Sequence, residues 1–563
     1  MIYILGLAAI CLAWLLPGHY YPYTAFQQDM LSASGVGLIA LGAVVTVREW
    51  PVRLPMSAIV ALLLAAVPLL QWASGMVPFL SDTLLPAAYL AGFALAIVAG
   101  VQLARTNPNF VDALFAAMCV AAVVSVGLGL AQWLDLGPYS FLEHADRGER
   151  MYANLTQANQ LASLLGLGIA GLLWFYETRR LGGVGASIAI AFLGFGLMMT
   201  QSRAGWLMVA SLVAMWALYR KRVPLRTPMA AVVVAVALFI AAVLARAPLD
   251  AWVHLDSDPG TIHVRFQESF RLIHWQTLWD ALLHKPWLGY GWLQIAVAQQ
   301  AAVLDHPPTF ELMSAAHNQL FDFLIWNGLP LGLLLIFAIG WWAVNRMRRC
   351  AEADAWASIA ALGVLVMHSM VEFPLQYAYF LMPAGLMVGV IEARMPDAPN
   401  PRWSVPVGRA VYACAALAMA GLLFVYWNEY YSVEEAVRRM RLKQEVHYVQ
   451  PGAEPAVPEV ALLDGPREYV RIWLIEPHEG MSVAELDWLR TVVRRYPSPG
   501  AQMRYALSAG LNERDEEARR SLELMCRMSL EKHCNGGRRT WAAETELHPR
   551  LRAIRFPETP VRR

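Results

Sequence analysis

Residues 314–344 read SAAHNQLFDFLIWNGLPLGLLLIFAIGWWAV, and this stretch decides how the chain folds. After Asp322 it contains no charged residue up to its end, which is long enough for the roughly 20 residues that a membrane-spanning helix needs. The stretch therefore predicts a transmembrane helix. It also places an imidazole, His317, and an amide, Asn318, where a long polar loop meets that helix.

The composition of the whole chain is that of a membrane protein. Hydrophobic residues make up 58% of the 563 residues and charged residues only 15%, whereas a soluble domain carries about 25% charged residues. The formal net charge of +1 gives no reason to expect a nucleic-acid partner. Long uncharged runs fill residues 1–430, so we expect a transmembrane domain there and a soluble C-terminal domain over 431–563.

Apolar segments recur along residues 1–430 and predict an all-α, polytopic fold. We expect about thirteen transmembrane helices, because most segments have the roughly 17–25 residues that a span requires. The first segment is interpreted as a retained span, since it lacks the basic start and the cleavage site of a signal peptide. The predicted spans are 1–16, 31–47, 54–73, 84–104, 110–133, 156–176, 183–200, 204–220, 229–246, 317–344, 355–371, 375–393 and 408–428.

The distribution of basic residues orients these spans. By the positive-inside rule the N-terminus lies in the cytoplasm. The 247–316 loop, His317 and residues 431–563 then lie outside, which is the periplasm if the source is a Gram-negative bacterium. Loops after even-numbered spans carry Arg48, Arg53, Arg105, Arg179, Arg180, Arg220, Lys221, Arg222, Arg226, Arg346, Arg348, Arg349, Arg394 and Arg402; loops after odd-numbered spans carry Arg147, Arg150 and Arg203 as exceptions.

The C-terminal domain is predicted to be helical. Ser432 followed by Glu435 is an N-capping pattern that predicts a helix beginning at residue 432. Residues 503–510 and 516–528 have the spacing of a tetratricopeptide-like helix pair, and generic helical packing explains that spacing equally well.

The cysteine pattern leaves one pairing open and indicates no metal site. Cys526 and Cys534 lie in the external domain, where oxidation is permitted, and they either form a disulfide or stay reduced. No spacing of cysteine and histidine is typical of a zinc site, and we expect no metal.

Hydrogen-bonding side chains gather at the outer ends of several spans. Such groups are costly against lipid, so they line a cavity or contact other helices. Asn154, Gln157 and Asn159 lie at the start of the sixth span. Helix capping accounts for one side chain there, Asn154 or Thr156, and a polar cavity or interhelical contacts account for Gln157 and Asn159. The candidates for a supporting role are His19, in the first outer loop, and His368 and Glu372, at the outer end of the eleventh span. An aromatic belt at the membrane interface explains the first outer loop about as well as a binding role does. His368 and Glu372 are one helical turn apart, so a structural pair explains them as well.

Outer arginines are the candidate anion-binding groups. Arg203 is either an interfacial arginine that reaches toward water or a guanidinium whose planar fork matches phosphate oxygens. Arg271 precedes Trp275 by four residues, so both are expected on one face of a helix, and Arg265 lies nearby in the same loop.

Together these motifs resemble the O-antigen ligase and polymerase superfamily, and more closely its protein O-oligosaccharyltransferases of the pilin-glycosylating type. The resemblance covers most of the chain. It departs at residues 326–328, where relatives carry an acidic residue before the glycine, and at 27–29, where a glutamate is expected. The segments that carry it are 19–28, 154–160, 200–203, 316–328 and 368–380.

The resemblance implies transfer of a preassembled glycan from undecaprenyl pyrophosphate to a hydroxyl of an acceptor protein such as a pilin. It also implies a periplasmic active site in the inner membrane and no cofactor. The residue types fit, because a base for a serine or threonine hydroxyl needs a pKa near ambient pH, which suits a histidine such as His317. Arg203, Arg271 and Arg265 would neutralise the leaving pyrophosphate. Asn318, Asn154, Gln157 and Asn159 would orient the substrate. We expect Arg203, Arg271 and His317 to converge in one outward-opening cleft.

Three other functions compete with this hypothesis. A ligase to lipid A-core or an O-antigen polymerase would share the donor and use a sugar hydroxyl as acceptor. A transporter or flippase would place ionisable groups near the membrane midplane and often contain internal repeats, and neither feature is found in this sequence. A non-catalytic scaffold would leave the outer arginines without a purpose.

Overall fold

The computed structural model describes residues 2–137, 141–143, 150–155, 157–253, 270–395, 405–445 and 455–559. Within these ranges the chain is almost entirely helical, which confirms the all-α prediction. Two short strands, β1 (Val52–Arg53) and β2 (Pro406–Val407), pair antiparallel.

The helices are numbered in chain order over the described residues. They are α1 (Ile2–Leu15), α2 (Phe26–Thr46), α3 (Met56–Ala73), α4 (Ser81–Thr106), α5 (Phe110–Trp133), α6 (Ala158–Glu177), α7 (Gly183–Met199), α8 (Arg203–Tyr219), α9 (Met229–Val253), α10 (Arg271–His284), α11 (Ile295–Ala302), α12 (Gln319–Arg349), α13 (Ala353–Ser369), α14 (Ala378–Arg394), α15 (Arg409–Glu445), α16 (Asp464–Ile472), α17 (Val483–Arg495), α18 (Pro499–Leu511), α19 (Asp515–Arg527) and α20 (Glu531–Leu547). Short 3-10 turns cover Val303–Asp305, Pro374–Gln376 and Pro549–Ala553.

The prediction of a polytopic membrane protein is confirmed. Eight helices among the described residues are long and apolar enough to cross a membrane, namely α2, α3, α4, α5, α6, α9, α12 and α15. The other five predicted spans also form helices (α1, α7, α8, α13 and α14), but these have 14 to 17 residues. At about 1.5 Å per residue they are shorter than the roughly 30 Å of hydrocarbon, so the count of thirteen spans stays a prediction.

The chain divides into two compact units. The first comprises residues 1–65, 88–267 and 339–425. Glycines let its helices approach closely: a Cβ atom added to Gly6 of α1 would lie 2.4 Å from the carbonyl oxygen of Gly35 in α2. Small residues are the usual means of close packing in membrane helices, because lipid supplies no hydrophobic drive for their association.

The second unit comprises residues 66–87, 268–338 and 426–563. Its C-terminal helices bury a core of their own, in which α18 packs on α19. Ala506, Ala509 and Ala518 are fully buried, which both a tetratricopeptide-like pair and generic helical packing predict. Cys526 and Cys534 are joined in a disulfide.

The predicted start of a helix at Ser432 is wrong. Helix α15 continues through Ser432, whose hydroxyl donates to the carbonyl oxygen of Asn428 at 3.4 Å. A serine inside a helix can bond to the carbonyl four residues earlier, and it then caps nothing. Glu435 accepts hydrogen bonds from Arg438 and Arg439 instead of completing a capping box.

Helix α12 is broken at Gly328, where φ is +73°. Pro330 has no N–H to donate to the carbonyl of Trp326, as the helical pattern would require. That carbonyl accepts instead from the backbone N–H of Gly291 at 3.1 Å and from Nε2 of Gln71 at 3.0 Å. The break is therefore satisfied by two earlier segments of the same unit.

Candidate active site

His317 lies in a short, tightly fixed stretch before α12. Its φ is +53°, a left-handed conformation that side chains other than glycine seldom adopt. The preceding peptide is fixed on both sides, because Nε1 of Trp275 donates to the carbonyl of Ala316 at 2.9 Å and the N–H of Ala316 donates to Oδ1 of Asp322 at 2.9 Å. Strained residues held in this way are concentrated at functional sites.

Asn318 caps the helix that follows His317. Its Oδ1 accepts from the backbone N–H groups of Leu320 at 3.0 Å and Phe321 at 3.2 Å. This side chain therefore has a structural role as an N-cap. The substrate-orienting role proposed for it from the sequence stays a prediction.

The surroundings of His317 favour a neutral imidazole. Burial lowers the pKa of His317, the guanidinium of Arg271 lowers it further, and Glu311 and a backbone contact at Ala315 act in the opposite direction. The net shift of the pKa is downward, which favours the neutral form of the imidazole. Arg271, the first residue of α10, is half-buried, and its charge is near enough to affect this imidazole. An imidazole and a guanidinium thus occur together in the second unit.

A second imidazole, His274, belongs to the same cluster. It lies one turn after Arg271 on α10, is 5% exposed, and has its Nε2 3.9 Å from a carboxylate oxygen of Glu311. Burial lowers the pKa of His274 to about 4, and the charges of His317 and Arg271 act in the same direction. His274 received no role from the sequence, although its spacing of three residues from Arg271 was a usable signal.

Aromatic stacking fixes α10 against the start of α12. The rings of Trp275 and Phe321 are stacked with centroids 5.8 Å apart and an interplanar angle of 11°. Trp275 shares α10 with Arg271, as the spacing of four residues predicted. Arg265, the third predicted cation, lies outside the described residues.

In the first unit, Asn159 is the centre of a polar cluster. Its Oδ1 accepts from a terminal guanidinium nitrogen of Arg150 and from the hydroxyl of Ser202, both at 2.8 Å. Its Nδ2 donates to Glu372 at 3.2 Å. The amide therefore connects the start of α6 with the start of α8 and with the segment after α13.

Arg203 begins α8 immediately after this cluster. Ser202 is the N-cap, since its hydroxyl oxygen accepts from the N–H of Gly205. Arg203 itself is exposed. A helix N-terminus and a guanidinium both favour an anion, so this position suits a phosphate group. The expected convergence of Arg203 with Arg271 and His317 stays a prediction.

Arg150 was noted in the sequence as an exception to the charge rule but received no role. Its Nε donates to the carbonyl of Thr200 at 2.8 Å, in addition to its bond to Asn159. The signal that could have identified it was the one that drew attention to Arg203, a lone arginine on the side where arginine is disfavoured.

The remaining predicted residues of the first unit hold backbone segments together or contact the polar cluster. Asn154 is buried, with Nδ2 donating to the carbonyls of Leu15 and Phe141, both at 2.8 Å. Nε2 of His19 lies 3.1 Å from the carbonyl oxygen of Asn154. Gln157 is half-buried and precedes α6 without capping it through its side chain.

His368 and Glu372 contact different partners. Nδ1 of His368 lies 2.6 Å from the hydroxyl of Ser163, and Glu372 accepts from Asn159. The supporting roles predicted for His19, His368 and Glu372 stay predictions. Among the described residues, no group of three histidine, cysteine, aspartate or glutamate side chains is arranged to hold a metal ion.

Comparison with known proteins gives two family matches. Residues 187–337 match the O-antigen ligase family, and this range contains Arg203, Arg271 and His317. Residues 356–532 match the C-terminal region of the virulence factor membrane-bound polymerases.

Two relatives extend the similarity over most of the chain. A general O-oligosaccharyltransferase of Acinetobacter baylyi (strain ATCC 33305 / BD413 / ADP1) is 27% identical over 545 residues, or 94% of this chain and 92% of that protein. A ComP-specific O-oligosaccharyltransferase of the same strain is 23% identical over 379 residues, or 66% of this chain and 68% of that protein. The resemblance inferred from the sequence is confirmed.

Proposed function

We propose that this chain, a glycosyltransferase-type enzyme of the O-antigen ligase superfamily, transfers a preassembled glycan from undecaprenyl pyrophosphate to serine or threonine hydroxyls of proteins such as pilins. The proposal also places the enzyme in the bacterial inner membrane with its active site in the periplasm. The bias of arginine and lysine between alternate loops supports that orientation.

The observation that carries the proposal is the largely buried imidazole of His317 within electrostatic reach of the guanidinium of Arg271, since burial and this guanidinium both lower the pKa of His317. A neutral imidazole can accept a proton from a hydroxyl, and a nearby cation can stabilise a phosphate leaving group. Transfer from a lipid pyrophosphate to a hydroxyl needs these two functions. A transporter or a scaffold would have no evident use for a general base.

In the proposed reaction His317 takes the acceptor hydroxyl proton while the hydroxyl oxygen attacks the anomeric carbon. The bond between that carbon and the pyrophosphate oxygen breaks, and the leaving oxygen keeps the electron pair. Positive charge develops on the sugar ring in such transfers, and negative charge grows on the pyrophosphate. We propose that Arg271 and Arg203 stabilise the negative charge on the pyrophosphate, with Arg265 as a third candidate.

Substrate orientation is assigned to the amides at the outer ends of the helices. Asn159 is the best supported of these residues, because Arg150, Ser202 and Glu372 fix its orientation. Gln157, Asn154 and Asn318 complete the proposed set.

Transfer by the purified enzyme from a lipid-linked glycan to an acceptor protein tests the base. We expect His317→Gln to abolish product while the protein still inserts and purifies as the wild type does. His284→Gln is the matched control, because His284 is an exposed histidine at the end of α10. Full activity of His317→Gln would refute the assignment.

The same assay tests Arg203. Replacement by lysine keeps the charge and loses the planar fork, so we expect transfer to fall even though the charge remains. Unchanged activity would mean that Arg203 only anchors α8 at the membrane surface.

A second candidate is ligation to lipid A-core, which the match of residues 187–337 to the O-antigen ligase family favours. Offering purified pilin and lipid A-core to one enzyme preparation separates the two functions. Product on the pilin alone is the result that our proposal requires.

A further inference from the structure

Helix α10 has an apolar surface that none of the described residues covers. Residues 272, 276, 279 and 283 form one stripe, and three of them are large apolar side chains: Leu272 is 65% exposed, Trp279 44% and Leu283 52%. The opposite stripe, which includes His274, Leu278 and Leu282, is buried in the protein. A helix that faced water on its outer side would carry polar residues there.

The turn after α10 extends this surface. Trp287 is 75% exposed and Leu288 is 72% exposed. The backbone of this turn packs directly on the break in α12, because a Cβ atom added to Gly328 would lie 2.5 Å from the carbonyl carbon of Trp287. The N–H of Leu329 also donates to the carbonyl of Pro286 at 2.7 Å.

The position of Gly328 along α12 sets the depth of this turn. Arg346, Arg348 and Arg349 mark the cytoplasmic end of the helix by the positive-inside rule. Counting back about 20 residues, the length of one span, from Arg346 reaches residue 326. Gly328 therefore lies at the outer limit of the hydrocarbon, and the exposed Trp287 and Leu288 lie at the same level.

We propose that the apolar stripe of α10 and the side chains of Trp287 and Leu288 are inserted into the outer leaflet of the bilayer. Tryptophan is enriched at this depth because its ring combines an apolar body with an N–H group. Interfacial helices carry leucine and tryptophan on one face and basic residues beside it. Here His284 and Lys285, both exposed, follow the stripe directly.

The consequence is that the second half of the 247–316 loop belongs to the membrane surface. Arg271 and His274 share α10 with the inserted stripe, so the helix holds them at head-group depth. This inference depends on exposure and on the membrane position of α12, and it does not require that the protein transfers glycans.

Spin labels on the whole enzyme in phospholipid nanodiscs test the proposal. The four free cysteines, Cys11, Cys119, Cys350 and Cys414, are replaced by alanine, and the disulfide is kept. Labels are then placed at residues 279, 283 and 287. The matched control is residue 305, because Asp305 is an exposed residue of the same loop on a different segment.

Oxygen concentrates in lipid, so we expect it to raise the spin relaxation rate of labels at 279, 283 and 287 more than a water-soluble nickel complex does. At residue 305 the nickel complex should raise the relaxation rate more than oxygen does. Greater relaxation by nickel at all four positions would overturn the proposal, since the stripe would then face water. Protection from both agents would also overturn it, since a protein surface would then cover the stripe.

A second measurement avoids the cysteine replacements. Lipids brominated near the head group should quench tryptophan fluorescence less in the double variant Trp279→Phe, Trp287→Phe than in the wild-type protein. Equal quenching in the two proteins would contradict insertion of these rings.

Discussion

His317 has a backbone fixed by hydrogen bonds and an imidazole whose pKa depends on neighbouring charges. The peptide before it is held by Trp275 and Asp322, and the pKa of its imidazole responds to Arg271 and Glu311. The two neighbours act in opposite directions, so the enzyme can keep His317 neutral without losing its basicity altogether. A base of this kind works best when its pKa lies close to the ambient pH.

Replacing Glu311 by glutamine should shift the pH dependence of transfer. Glu311 raises the pKa of His317, so its removal lowers that pKa further below the ordinary value. Activity is lost as the pH falls through the pKa of His317, because the protonated imidazole cannot act as a base. The acidic limb of the pH profile of kcat/KM should therefore move to lower pH.

The control for this prediction is Asp305→Asn, which removes an exposed carboxylate from the same loop. It should leave the acidic limb in place. A limb that moves to higher pH in Glu311→Gln would contradict the electrostatic role of Glu311.

At the scale of elements, the junction between the turn 286–291 and the break in α12 is the least tolerant of change. Gly289 and Gly328 both have positive φ values, and a Cβ atom on either would lie within 2.5 Å of a backbone atom of the other segment. The backbone pairing of Tyr290 with Ile325 (2.8 Å) and of Gly291 with Trp326 (3.1 Å) requires this approach. Trp292 and Trp326 stack beside it, with centroids 4.6 Å apart.

Gly328→Ala should destabilise the protein by at least about 1–3 kcal/mol, because it combines strained backbone with a clash against Trp287. Thermal unfolding in detergent or nanodiscs measures the effect. Gly340→Ala in the same helix is the control, since a Cβ atom there meets nothing within 4 Å. Equal melting temperatures of the two variants would show that the junction can relax.

The helical elements were predictable because their apolar runs are long, and each predicted span is a helix in the structure. The position at which α15 ends was not predictable around Ser432, because this helix continues from an apolar into a charged sequence without a break. Arg150 and His274 each carried a local signal, but their partners were not predictable. The contacts of Arg150 with Thr200 and of His274 with Glu311 join residues that are distant in sequence, and no local pattern indicates such contacts.

At the scale of the molecule, the C-terminal helices hold the segment that leads to His317. The guanidinium of Arg527, at the end of α19, donates to the carbonyl of His306 at 2.7 Å, and the carbonyl of Arg527 accepts from the N–H of Phe310 at 3.1 Å. The disulfide begins at the preceding residue, Cys526. All these residues belong to the second unit, so the C-terminal helices are bonded directly to the segment before His317.

Removing the disulfide with Cys526→Ser and Cys534→Ser should lower the stability of the C-terminal helices by about 2–3 kcal/mol. We also expect kcat to fall, by up to about 100-fold if His317 is displaced by 1 Å. Thermal unfolding and steady-state transfer measure the two effects. Cys414→Ser is the control, because Cys414 is free and exposed; a lower melting temperature with unchanged kcat would limit the disulfide to a structural role.

The unusual hydrogen bonds at the Trp326 carbonyl bear on how the protein is made. Translation delivers Gln71 and Gly291 before Trp326, so both donors already exist when the interrupted helix leaves the ribosome. The bilayer offers no water to solvate a bare carbonyl. The order of synthesis thus makes both hydrogen-bond donors available before the carbonyl of Trp326 needs them. A circularly permuted gene that began between residues 292 and 325 would produce the broken helix before either donor had been made.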